Sequence, residues 1–192
     1  MTRIIAGAAG SLALAVPGVG TRPTSDRVRE SLFGALESAD ALDGAAVADL
    51  YAGSGALALE AVSRGARSAD LVEKAPKAAS VAERNVRTVQ RAVPDAEMRV
   101  HRSSADAYLR TSGRAFDLVF IDPPYDLGED ELATTLGLLA PRLSPGALVV
   151  IERAARSGAP TLPGGLSIDR SKRYGDTAIW WVRADTVTRA ED

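Results

Sequence analysis

Short apolar runs and amphipathic stretches alternate along most of this chain, and the alternation predicts its architecture. Ala46–Tyr51, Ala69–Glu73, Phe116–Asp122 and Ala147–Glu152 are short, mostly apolar runs and, together with Met98–Arg102, read as strands. Between them, Ala56–Arg64, Pro76 to about Arg91, Ala105–Leu109 and Glu129–Leu139 read as helices. Pro76 suits a first helical turn, where its missing N–H would have had no partner. Repeated strand–helix units imply a mostly parallel sheet with helices on both faces. After the loop Gly158–Gly165, the runs Leu166–Lys172 and Ala178–Arg183 predict a closing antiparallel hairpin. At the other end, short strands near Arg3–Ala6 and Leu12–Val16 flank a glycine-rich turn. The segment from Thr21 then opens a helix, capped by Thr24 or Ser25, with Val28, Ser31, Leu32 and Ala35 on one face.

Composition narrows the classes. A chain of 192 residues at 46% hydrophobic can bury a full core. We read residues 41–192 as the main domain and residues 1–40 as a hairpin-and-helix extension. There is no cysteine, which removes disulfides, thiolate nucleophiles and cysteine metal sites. The single histidine, His101, leaves no histidine cluster for a metal and makes a Ser-His-Asp triad a poor reading. No metal is expected. No apolar run approaches the roughly 20 residues that span a bilayer, so no membrane partner is expected. Arg3-Ile4-Ile5-Ala6 and Ala13-Leu14-Ala15 imitate a signal peptide, but Gly7, Gly10 and Ser11 break the apolar stretch. A cytoplasmic location is the expectation. The net charge of −2 supplies no global attraction to nucleic acid.

The chemistry-bearing motifs fall at the carboxyl ends of the predicted strands, where open parallel sheets bind ligands. Asp122-Pro123-Pro124-Tyr125 makes a rigid corner that is poor in donors. Neither proline has an N–H, and their carbonyls are free to accept. The Asp122 carboxylate and the Pro123 carbonyl suit one NH2 group between them, and Tyr125 suits stacking on the ring that carries it. A plain strand-ending turn is the alternative. Asp49-Leu50-Tyr51-Ala52-Gly53-Ser54-Gly55-Ala56 is a glycine loop that brings backbone close to a ligand at a helix start. Glu73 ends the next strand, where an acid accepts from ribose hydroxyls. Gly53, Gly55 and Ala58, with Glu73 downstream, also satisfy the dinucleotide fingerprint. Asp49 argues against that ligand, because its carboxylate would oppose a pyrophosphate at a cost on the order of 1 kcal/mol or more. The same carboxylate suits an ammonium group, such as the methionine end of S-adenosylmethionine. A strand-end acid capping backbone N–H groups is the alternative for Asp49. Arg22, Arg27 and Arg29 make either a solvated face paired with acids or a phosphate-contacting patch.

Three blocks together resemble a known family: Arg22-Pro23-Thr24-Ser25-Asp26-Arg27-Val28-Arg29-Glu30-Ser31-Leu32-Phe33, then Asp49 through Ala61, then Phe120-Ile121-Asp122-Pro123-Pro124-Tyr125. Their order and spacing are similar to those of the bacterial 16S rRNA guanine-N2 methyltransferases of the RsmD type, and the resemblance covers essentially the whole chain. It implies an α/β, Rossmann-like class I S-adenosylmethionine-dependent methyltransferase. The sheet would have seven mostly parallel strands, a C-terminal antiparallel hairpin and an N-terminal β-hairpin plus helix. It implies S-adenosyl-L-methionine as cofactor, held by Asp49, Tyr51, Gly53, Ser54, Gly55, Glu73, Lys74 and also Asp122. Ser104 and Ala105 fall on the adenine side, with Asp106 standing in where relatives carry an amide or carboxylate at the position of Ser104. Asp122, Pro123, Pro124 and Tyr125 would hold the target guanine. The implied partner is 16S rRNA, within an assembling small subunit, met by Arg3, Arg22, Thr24, Arg27 and Arg29. One departure stands out: Gly7 through Leu14 carry no Lys or Arg, where relatives place several. Lys172 and Arg173 are further candidates for RNA.

The implied chemistry is direct transfer. A guanine N2 lone pair is delocalised into its ring, so accepting both amine hydrogens favours a pyramidal, more nucleophilic nitrogen. The base must leave its stack to reach the pocket. Adenine-N6 or another amino group on DNA or RNA is the runner-up substrate. A nicotinamide-dependent oxidoreductase and a catalytically idle RNA-binding assembly factor are the readings from other classes.

Overall fold

The computed structural model describes residues 2–18 and 26–186. Arg22, Thr24 and the proposed helix cap lie outside the described residues. The main sheet has seven strands. In chain order these are β3 (Ala46–Asp49), β4 (Ser68–Val72), β5 (Glu97–His101), β6 (Phe116–Ile121), β7 (Leu143–Ala154), β8 (Leu166–Tyr174) and β9 (Thr177–Ala184). The short β1 (Thr2–Arg3) and β2 (Ala13–Leu14) pair with each other as an antiparallel hairpin. The strand order is β5-β4-β3-β6-β7-β9-β8, with β5 to β7 parallel and β8 and β9 forming an antiparallel hairpin at one edge. This is the Rossmann-like order of class I methyltransferases. The chain runs outward from β3 toward β5, then returns to β6 on the opposite side. The switch point therefore lies between β3 and β6, and the crevice beyond their carboxyl ends is the natural ligand site.

Alternating residues of the central strands point to opposite faces. Val47, Leu118, Phe120, Leu148 and Val150 join one core, while Ala48, Val119, Ile121, Val149 and Ile151 join another. The first core is closed by α1 (Asp26–Ser38), α2 (Ala56–Ser63) and α3 (Pro76–Gln90), the second by α4 (Ala105–Thr111) and α5 (Glu129–Leu139). Continuously apolar strands follow, because both faces are covered. β7 starts earlier than its apolar run predicts. Its opening turns around Pro145 and Gly146 through an irregularity in the ladder with β6, which is where a strand tolerates proline.

The hairpin and α1 share the first core with the sheet. Ile4, Ala9 and Leu14 are buried beside Leu32, Phe33 and Leu36. The fully buried Glu60 carboxylate accepts from the backbone N–H of Ile5 and Ala6 and from Arg64 Nε. Ser63 Oγ accepts from Ala9 N–H. Asn85 clasps Ala15 through both its N–H and its carbonyl. Deleting the hairpin would thus uncover apolar surface and leave a buried carboxylate short of donors.

Helix α1 is rotated by one residue from the face its pattern suggested. Arg29, Leu32, Phe33 and Leu36 are buried, not Val28, Ser31 and Ala35. The large Phe33 ring decides the phase by packing 5.8 Å from the Phe120 ring. That rotation carries Arg29 inward.

Gly7 fixes how the hairpin docks. Its φ is +83°, and an added Cβ would lie 1.9 Å from the Ser63 carbonyl oxygen. Gly7→Ala should destabilise the protein by about 2–4 kcal/mol, from left-handed backbone strain plus overpacking. Urea denaturation checks this; a midpoint equal to wild type would show that the hairpin does not dock as described.

Candidate active site

A pocket of about 1010 Å³ opens at the switch point. That is the upper end of the range for small-molecule sites and leaves room for a cofactor and a second planar ligand. Asp49, Tyr51, Gly53, Ser54, Glu73, Lys74, Ser104, Ala105, Asp106, Asp122, Pro123, Pro124 and Tyr125 all line it. The parallel register explains the convergence: Asp49 sits level with Leu71 of β4 and Phe120 of β6, so three strand ends release their polar residues at one height.

Asp49 ends β3 almost wholly buried, 1% exposed, and neither carboxylate oxygen has a hydrogen-bond partner among the described residues. Burial pushes its pKa up to about 7. The nearby backbone N–H groups of Ala58 and Tyr51 oppose the rise without closing a well-formed hydrogen bond, and the Glu73 charge adds to it. The Asp122 carboxyl is also held well above the usual range, first by burial, then by the charges of Glu152 and Asp49. Two buried carboxyls in one pocket, one of them with both oxygens unpartnered among the described residues, suit a ligand that carries a cationic group.

The glycine loop is shaped by its own backbone. Gly55 precedes α2 at φ +81°, and a Cβ there would lie 2.5 Å from Leu71 Cδ2. Gly55 N–H donates to Ala52 O, closing the turn at 2.6 Å. Glu73 holds the loop from the next strand. One of its oxygens accepts from Gly53 N–H at 2.9 Å and the other from Ala75 N–H at 2.7 Å. Each oxygen keeps a further lone pair for a ligand hydroxyl. Asn85 Nδ2 donates to Ser54 O, so a residue that sequence reasoning passed over ties the loop to the N-terminal segment.

On the opposite wall two candidates are already engaged. Ser104 caps α4, its Oγ accepting from Ala107 N–H at 3.2 Å. Asp106 accepts from Thr135 Oγ1 at 2.6 Å, which joins α4 to α5 and leaves the second Asp106 oxygen as the acceptor on offer. Tyr51 also meets Thr135 and is half-buried beside it, with its hydroxyl pKa raised mainly by that burial.

The Asp-Pro-Pro-Tyr corner leaves β6 directly. Pro124 O accepts from Leu127 N–H at 3.0 Å, so that carbonyl serves the turn and not a ligand. Pro123 O accepts no hydrogen bond among the described residues. Asp122 and Pro123 therefore remain the candidate acceptors on the pocket wall, with Pro124 as the stiffener. Tyr125 is 59% exposed at the rim, a placement that suits stacking more than core packing.

The basic candidates separate. Arg27 is exposed on α1, and Arg3 is exposed on β1. Arg29 is 2% exposed and lines the pocket itself, with Nη2 donating to Arg3 O at 2.6 Å and pairing with Asp26 Oδ1 at 2.9 Å. It cannot join an outer phosphate patch. Thr2, Val16 and Pro17 also line the pocket, brought there by the hairpin's docking and by no local pattern. Arg29's place was recoverable from sequence: Leu32, Phe33 and Leu36 define an apolar stripe on which it falls.

S-adenosyl-L-methionine fits these residues. The orphaned Asp49 carboxylate matches its ammonium, the cramped glycine loop leaves the methionine part backbone to touch, and Glu73 matches ribose hydroxyls. Comparison with known proteins agrees. A family described as conserved hypothetical protein 95 matches residues 2–183. Ribosomal RNA small subunit methyltransferase D of Escherichia coli strain K12 is 38% identical over 179 residues, 92% of this chain and 86% of that protein. The solved structure of YhhF from Escherichia coli superposes with a TM-score of 0.83 at 35% identity, covering 96% of this chain and 98% of that one. Magnesium protoporphyrin IX methyltransferase from Synechocystis PCC 6803, solved with bound S-adenosylmethionine, shares the fold at 15% identity, with a TM-score of 0.67 over 88% of this chain and 87% of that one. The pocket at the β3/β6 switch point, the Asp-Pro-Pro-Tyr corner and the match along nearly the full chain converge: this protein belongs to the conserved hypothetical protein 95 family, the RsmD family of S-adenosylmethionine-dependent methyltransferases.

Proposed function

We propose that this protein methylates the exocyclic N2 amine of a guanine in small-subunit (16S) ribosomal RNA. The observation that carries the reading is the corner itself, where Asp122 and Pro123 line the pocket with an exposed Tyr125 two residues on. S-adenosyl-L-methionine supplies an electrophilic methyl group when bound. The chain's own part is positioning. Asp122 and Pro123 O accept the two amine hydrogens, which orients the nitrogen and localises its lone pair. Tyr125 replaces the stacking that the base loses when it leaves the RNA helix. Fixing both reactants in one walled pocket supplies much of the rate. Asp122, with its raised pKa, takes the amine proton late in the reaction or passes it to water.

A basic rim supports an RNA substrate. Lys172 of β8 pairs with Ile179, which in turn pairs with Glu152, one position beyond the Ile151–Ile121 pair. Lys172 is thus level with Asp122 and three strands away, about 14 Å at roughly 4.8 Å per strand. Its ammonium lies 5.0 Å from the Tyr174 ring and 3.2 Å from Ser31 Oγ of α1. With the exposed Arg27, four residues before Ser31 on α1, it offers charge for phosphates, while Arg173, the next residue on β8, projects from the opposite face. Arg3, Arg22 and Thr24 remain proposed contacts of the N-terminal segment, and an assembling subunit the proposed setting.

The test is methyl transfer from labelled cofactor to small-subunit rRNA, followed by digestion and nucleoside analysis. N2-methylguanosine is the expected product. N6-methyladenosine as the labelled nucleoside would reject the guanine assignment.

A further inference from the structure

Two buried charges of opposite sign face this pocket with atoms left over. Arg29 keeps Nε and Nη1 without hydrogen-bond partners, and Asp49 keeps both carboxylate oxygens so, among the described residues. The other buried polar atoms in that condition belong to Arg142, Arg153, Trp180 and Trp181, none of which lines the pocket. Arg29 and Asp49 do not pair with each other, since Arg29's ion pair is with Asp26. Orphaned buried charges are expensive, and neither group can turn to water from where it sits. A single ligand group that is positive on one side and negative on the other would satisfy both at once.

We infer that Arg29 and Asp49 together form a receptor for a zwitterionic α-amino acid group, with Arg29 taking its carboxylate. The inference rests on the proposed use of S-adenosyl-L-methionine, whose methionine end carries that group. Asp49 takes the ammonium. Arg29 offers Nε–H and Nη1–H, and neighbouring guanidinium donors of that kind suit the two oxygens of a carboxylate. The remaining nitrogen, Nη2, is already spent on Arg3 O and on Asp26, which fixes the guanidinium before the ligand arrives. Because Arg3 O belongs to the N-terminal hairpin, the hairpin sets the position of a cofactor-binding side chain. Arg29 is a binding residue on this assignment, not part of the RNA surface.

The experiment measures affinity for S-adenosylhomocysteine and for its decarboxylated counterpart, which keeps the amine and lacks the carboxylate. Wild type should prefer the carboxylate-bearing ligand by about 10- to 100-fold, as expected for a charged, buried hydrogen-bonded pair. Arg29→Gln should lose most of that preference while still binding the decarboxylated ligand. Arg29→Lys, which keeps the charge and offers fewer aligned donors, should fall between and serves if the glutamine variant does not fold. Wild type binding both ligands equally overturns the inference, and so does an unchanged preference in either variant. Full preference retained together with a raised KM for RNA would reassign Arg29 to a nucleotide phosphate. Failure of wild type to bind S-adenosylhomocysteine at all would instead sink the proposed function.

Discussion

Asp122→Ala should slow single-turnover methyl transfer by about 10²–10³, the usual loss when one positioned hydrogen-bond partner is removed from a closed site, about 2.7–4 kcal/mol. The substitution takes away one of the two acceptors the corner presents, and the Pro123 carbonyl alone cannot orient an amine with two hydrogens. Asp122→Asn should also fail. Its amide either turns an N–H toward the donor amine or is left with one oxygen and no charge. It keeps the shape and removes a carboxylate that burial, Glu152 and Asp49 all disfavour in its ionised form, so the folded protein should not suffer. Loss of rate without loss of stability separates chemistry from structure. At the rim, Tyr125→Phe should keep most activity, because a 59% exposed ring stacks with or without its hydroxyl. Tyr125→Ala should weaken base capture by roughly 1–3 kcal/mol. A wild-type rate in Asp122→Ala, or equal losses in the two Tyr125 variants, would make the corner structural only.

Asp49 carries the second large effect, and it has a pH signature. In the free protein its pKa is raised to about 7 from an ordinary value of 3.8. A carboxyl with a raised folded pKa favours folding at low pH and loses that contribution as pH climbs through the folded value. The free protein should therefore lose stability between about pH 4 and 7, and Asp49→Asn, which cannot ionise, should be the more stable protein above pH 7. The difference is bounded at about 4 kcal/mol. Cofactor affinity runs the opposite way. Only the carboxylate attracts an ammonium, so affinity should rise about tenfold per pH unit up to about pH 7. It should then fall once the ligand amine deprotonates near 7.7–8.0. At pH 7 binding should release about half a proton, read by calorimetry in two buffers of different ionisation enthalpy. Asp49→Asn should lose on the order of 2 kcal/mol or more of cofactor affinity along with the pH dependence. A flat pH profile in wild type would remove Asp49 from the ammonium site.

The two variants differ instructively. Asp122 and Asp49 share one pocket and both have raised pKa values, yet the proposed function gives one to the substrate amine and the other to the cofactor. Burial and mutual repulsion, with Glu152 and Glu73 nearby, disfavour the ionised form of both carboxyls. A sulfonium–ammonium ligand relieves that repulsion.

The order of strands and helices, the parallel sheet and the carboxyl ends at which Asp49, Glu73 and Asp122 stand are all legible along the chain. Each of these rests on local physics: apolar periodicity, turn chemistry at Gly53 to Gly55, and the stiffness of Pro123-Pro124. Other features depend on contacts between segments far apart in the chain. Phe33 competing for the core turned α1 by one residue and moved Arg29 from a supposed outer face to the pocket wall. Ile5 and Ala6 found their acceptor in Glu60, 55 and 54 residues away, and that contact makes the hairpin a wall of the site. Thr135 claimed an oxygen of Asp106, and Leu127 claimed the Pro124 carbonyl. None of these pairings has a period or a motif. They arise because buried donors and acceptors must find partners wherever the folded chain brings them, and that choice is made in space and not along the sequence.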